Sequence, residues 1–129
     1  MDATRERASR RRERVAGAQR AYETFLAGIA VPVARQLTNA MKAEGYSFTL
    51  FTPGNGLRLA ADRGRDDFIE LELDTTGEMP EVIARVSQQR GSRTIAEEVP
   101  VKRGAYPEEI GEDEFLEFLL GALEPWLER

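Results

Sequence analysis

An α+β fold is predicted, with a long kinked N-terminal helix, a four- to five-stranded antiparallel meander and a C-terminal helix packed on one face of the sheet. Three patterns predict it. Val15, Ala18, Tyr22, Phe25, Leu26, Ile29, Val33, Leu37 and Met41 recur at spacings of three and four, the stripe of an amphipathic helix. From Asp67 to Asp74 the chain alternates, Ile69, Leu71 and Leu73 one way and Phe68, Glu70, Glu72 and Asp74 the other. Phe115, Leu116, Leu119, Leu123, Trp126 and Leu127 then form a second helical stripe.

The N-terminal helix divides by composition. Residues 1–14 form a basic arm without an apolar stripe, expected to fray or extend into solvent, and residues 15–129 form a single domain. Pro32 sits inside the helical pattern, removing one hydrogen bond and pressing on the carbonyl of Gly28. A kink near Gly28–Pro32 is the expected result, and Gly45 is the expected C-terminal cap. Phe118 to Pro125 repeats the pattern Phe-Leu-x-Gly-x-x-x-Pro of Phe25 to Pro32, and two bent helices are inferred.

The meander is expected from Gly45 to Arg103. Tyr46, Phe48 and Leu50 share one face, Pro53-Gly54-Asn55-Gly56 is a turn, and Leu57, Leu59 and Ala61 alternate with Arg58, Ala60 and Asp62. Such alternation marks a sheet with one wet face. Pro80–Gln89 reads two ways. Pro80 suits the first position of a helix, but the segment is short and β-branched with a turn signal close behind, which favours a strand. Gly104 to Gly111 reads as a linker, and the last helix starts near Glu112, where Asp113 and Glu114 suit the helix dipole.

Composition narrows the chemistry. The chain of 129 residues has no cysteine and no histidine, so disulfides, thiolate metal sites and the usual general base are all missing. An enzyme would have to rely on carboxylates, Lys, Tyr, Ser or Thr. No cofactor and no metal is expected. The net charge of −5 divides unevenly: residues 1–20 carry +4 and the remainder −9. From Glu108 to Glu128 there are eight acidic residues and no basic one.

Short motifs add little. Asp74-Thr75-Thr76-Gly77 has one Thr too many for an aspartic-protease loop and reads as a turn. Asp62, Asp66 and Asp67 fit no calcium-loop spacing, and Arg63 and Arg65 compete with any cation there. Ser9-Arg10-Arg11-Arg12 is not followed by the apolar run of an export signal, and Phe25–Ala34 is too short to span a bilayer. A cytoplasmic protein with no membrane segment is expected.

These features lead to a non-enzymatic partner-binding module, a small acidic adaptor or chaperone-like protein. Self-association is expected through Val15, Ala18, Tyr22, Phe25 and Ile29, whose spacing is that of a coiled-coil seam. The alternative is a nucleic-acid-associated regulator in which Arg10, Arg11, Arg12 and Arg14 contact phosphates. In size, acidity and α-β-α order the chain resembles the type III secretion chaperone-like fold. That fold has a helix inside its strand series, which only Pro80–Gln89 could supply here, and the resemblance carries over no functional residue.

Overall fold

The computed structural model describes residues 2–54 and 56–128, so Met1 of the expected arm, Asn55 of the expected turn and the terminal Arg129 lie outside the described residues. Helix α1 spans Asp2–Phe25 and continues through a π-helical turn, Leu26–Ala30, into α2, Val31–Ala43. The irregularity expected at Pro32 takes this form. Val31 donates its N–H to the Leu26 carbonyl five residues back. A locally wider turn accommodates a residue that has no N–H and a bulky ring. At the other end Tyr46 N–H bonds the Met41 carbonyl at 2.8 Å and Gly45 N–H the Lys42 carbonyl at 3.1 Å. Gly45 adopts φ 94°, so the helix closes in a Schellman motif around the expected glycine.

Five strands follow: β1 Phe48–Phe51, β2 Leu57–Ala61, β3 Phe68–Asp74, β4 Glu81–Arg90 and β5 Arg93–Pro100. They form one antiparallel sheet in the order β1-β2-β3-β4-β5. Residues 81–90 are therefore strand, so they do not supply the helix that the chaperone-like fold carries within its strand series. A 3-10 turn, Pro107–Glu109, then leads to α3, Glu112–Leu127. The segment read as a linker is anchored, since Ala105, Pro107 and Ile110 are buried.

The core lies between one face of the sheet and the helices. Leu57, Leu59, Ile69, Leu71, Val82, Ala84 and Val86 supply the sheet side. Ala30, Val33, Ala34, Phe115, Leu119 and Leu123 supply the helix side. Burying a side chain of this size contributes about 1.5–3 kcal/mol, so this layer dominates the stability of the fold. Phe48 meets Trp126 edge to face with ring centroids 5.6 Å apart.

The other sheet face is polar. Arg58 stands opposite Glu70, Glu70 opposite Arg85, and Arg85 opposite Glu98, a row of alternating charge across four strands. Arg58 bonds Glu70 at 3.2 Å and covers the Phe68 ring at 3.9 Å.

Candidate partner-binding surface

The apolar stripe of α1 is consumed by the fold from Ala18 onward. Ala18, Tyr22 and Phe25 are buried, and Phe25 packs on Phe115. Val15 and Ile29 are half-buried at the surface. The arginines behave differently. Arg10, Arg11, Arg12 and Arg14 are all exposed on α1. Arg10 lies 3.9 Å from Glu6 one turn earlier, a pair worth at most a few tenths of a kcal/mol at the surface. Arg11, Arg12 and Arg14 form no ion pair among the described residues.

Two of these arginines border a groove of about 320 Å³. Arg11, Arg14, Val15 and Ala18 form its helical wall. The loop between β3 and β4, through Thr75, Gly77, Glu78 and Pro80, forms the opposite wall, and Tyr106 with Glu108 closes one side. The groove combines two predicted groups, the basic cluster and the start of the apolar stripe. Arg10 and Arg12 are outside it, as are Tyr22, Phe25 and Ile29.

Local chemistry shapes each wall. Asp74 ends β3, and its carboxylate accepts the Thr76 backbone N–H at 3.0 Å and the Thr76 hydroxyl at 2.6 Å. Those bonds hold the Asp74 carboxyl below the usual carboxylate range. Asp74-Thr75-Thr76-Gly77 is thus a turn held by its own side chains. Tyr106 is presented by a reciprocal cap, because its N–H donates to the Glu109 carboxylate at 2.7 Å. The residue is left 46% exposed. Lys102 fastens this segment to α3, donating to the Glu109 carbonyl at 3.1 Å and pairing with Glu114 at 2.7 Å. The Lys102 bond, followed by that from the Gly111 N–H, lowers the Glu114 carboxyl.

Beyond Thr75 the same helix face borders an acidic end. Tyr22, Glu23, Glu72 and Thr75 line a neighbouring hollow. Partial desolvation comes first in pushing the Glu72 carboxyl up, followed by the charge and hydrogen bond of Glu98 and the charges of Glu70 and Asp74. The Tyr22 hydroxyl is buried without a partner among the described residues, and burial, then Glu72 and Glu70, pushes its proton affinity up.

The aspartates of the β2–β3 loop serve the fold. Asp62 accepts the Thr49 hydroxyl at 2.6 Å, Asp66 the Thr94 hydroxyl at 3.1 Å, and Asp67 the Gln89 backbone N–H at 2.8 Å. No group of three or more carboxylates among the described residues is arranged to hold a metal ion.

Sequence reasoning missed Tyr106 and the Thr75–Pro80 wall. Tyr106 had one local signal, as the single aromatic between Gly104 and Gly111. Its placement against α1 comes from packing alone. No helix among the described residues is long and apolar enough to cross a membrane. Compared with protein-family models, curated proteins and solved structures, the chain matches none.

Proposed function

We propose that this chain is a non-enzymatic partner-binding module, adaptor-like or chaperone-like, that works in the cytoplasm and self-associates. The observation that supports this reading is the α1 groove. Unpaired Arg11 and Arg14 stand there beside apolar Val15 and exposed Tyr106, opposite a turn held by its own hydrogen bonds. Arginine and tyrosine next to a concave apolar strip are the side chains that anchor protein interfaces. The groove sets Arg11 and Arg14 against Glu78 and Glu108, and its neighbouring hollow is acidic, so a partner segment carrying charges of both signs suits it.

The test is cross-linking capture with the full chain and with an Arg11→Glu, Arg14→Glu, Tyr106→Ala variant. The expected result is a protein retained by the parent and lost by the variant, while circular dichroism of the two stays alike. Equal retention by both would remove the groove from the reading.

A nucleic-acid-associated role is the second reading, favoured by three unpaired arginines within four positions of one exposed helix. Fluorescence anisotropy with duplex DNA and with single-stranded RNA separates the two. Phosphate contacts by Arg10, Arg11, Arg12 and Arg14 would give affinity that falls steeply with salt, with a logarithmic slope of about −3 to −4. The partner-binding reading expects no saturable binding at physiological salt.

A further inference from the structure

The meander leaves β5 as an edge strand, since among the described residues its only neighbour is β4. Val101 donates its N–H to the Val82 carbonyl at 2.9 Å, and the register sets Ala84 opposite Val99 and Val86 opposite Glu97. In an antiparallel ladder the inward-bonding positions recur every second residue. Arg93, Ile95, Glu97 and Val99 therefore bond toward β4. Thr94, Ala96 and Glu98 turn their N–H and C=O groups outward, onto the free edge. Pro100 shares their parity and has no N–H, which closes the usable edge at that end.

Thr94 is held by Asp66, but the side chains on either side of it on the helix-bearing face are exposed. Ile95 is 43% exposed and lies on the helix-bearing face, opposite Gln88. Arg93 and Glu97 flank it on the same face, both exposed and both without an ion pair among the described residues. They are four residues apart along one strand, about 13 Å, too far to pair with each other.

We propose that β5 pairs antiparallel with β5 of a second copy, about a two-fold axis at Ile95, extending the sheet across both chains. This inference rests on the self-association part of the reading above and assigns it a different surface. The register follows from charge. With Ile95 opposite its own copy, Glu97 of each chain faces Arg93 of the other, twice by symmetry. Thr94 then faces Ala96, and these outward-bonding residues exchange hydrogen bonds. Ile95 and the two charged pairs take the closer non-bonded positions, where side chains approach most. Shifting the axis to Ala96 sets Glu97 against Ile95, and shifting it to Glu97 sets two glutamates together. Shifting it to Thr94 leaves Glu97 opposite Gly91. Only the Ile95 register matches both charge and apolarity.

The test is analytical ultracentrifugation of the full chain, its Arg93→Glu and Glu97→Arg single variants, and the double swap. These residues are exposed on an edge, so thermal melts of the four proteins serve as the folding control. The expected result is a dimer that each single variant weakens by about tenfold or more and that the double swap restores. Amide exchange of Thr94, Ala96 and Glu98 should also slow as protein concentration rises. A dimer indifferent to both swaps but broken by Val15→Glu would overturn β5 pairing and leave self-association through α1 standing. A chain that stays monomeric at millimolar concentration would overturn both.

Discussion

Phe25 and Phe115 meet edge to face, with ring centroids 5.4 Å apart and planes at 87°. One is the last residue of α1 and the other lies in the first turns of α3, so this contact joins the two ends of the chain over the sheet. Phe115 is fully buried and Phe25 nearly so. The pair also lies beside the π turn, where backbone hydrogen bonding is least regular.

Phe115→Ala should therefore cost about 3–5 kcal/mol, the transfer of a buried ring plus the cavity it leaves. Urea unfolding followed by circular dichroism measures it. Leu116→Ala, one residue away on the exposed side, should cost less than about 1 kcal/mol. Equal losses would show that α3 is not seated as described.

A second prediction concerns the β2–β3 loop. Gly64 adopts φ 102°, and a Cβ there would lie 2.5 Å from Asp67 Oδ2. Asp67 has little room to yield, because its other carboxylate oxygen accepts the Gln89 N–H across the sheet. Gly64→Ala should destabilise by about 2–3 kcal/mol, combining left-handed strain with the clash. Gly54 also has positive φ but open space around it, so Gly54→Ala should cost only about 1 kcal/mol. Paired thermal melts check the order.

The third prediction is a pH dependence from Glu72. Its carboxyl is raised in the fold, so between the ordinary glutamate value and that raised value the folded chain binds more protons than the unfolded one. The contribution of Glu72 to stability thus improves as pH falls through that window and is lost as pH rises. Glu72→Gln should raise the melting temperature at pH 7 by about 1–3 °C, an effect kept small by the exposure of the site. The gain should shrink toward pH 4. A gain independent of pH would mean that charge is not its cause.

Particular elements show how much was legible. The strand Phe68–Asp74 was readable because alternating burial demands alternating residues, and Ile69, Leu71 and Leu73 face the core while Phe68 lies under Arg58 on the other face. The cap at Gly45 was readable because positive φ is a local demand. Residues 81–90 stayed ambiguous because Val82, Ile83 and Val86 satisfy either period, and pairing with β3 and β5 decided for strand. The seam on α1 was read as one surface. The fold splits it, since α3 and the sheet cover Tyr22 and Phe25 but reach only part of Val15.

By itself the sequence determined the α+β class, the order of elements, the wet face of the sheet and the exclusion of imidazole and thiolate chemistry. All of these follow from side-chain identity and local periodicity. The tertiary structure alone decided that Arg11 and Arg14 share a groove with Tyr106, more than 90 positions away for each, and that β5 is left at an edge. Such juxtapositions depend on how layers pack and which strand ends the sheet. No local spacing encodes either.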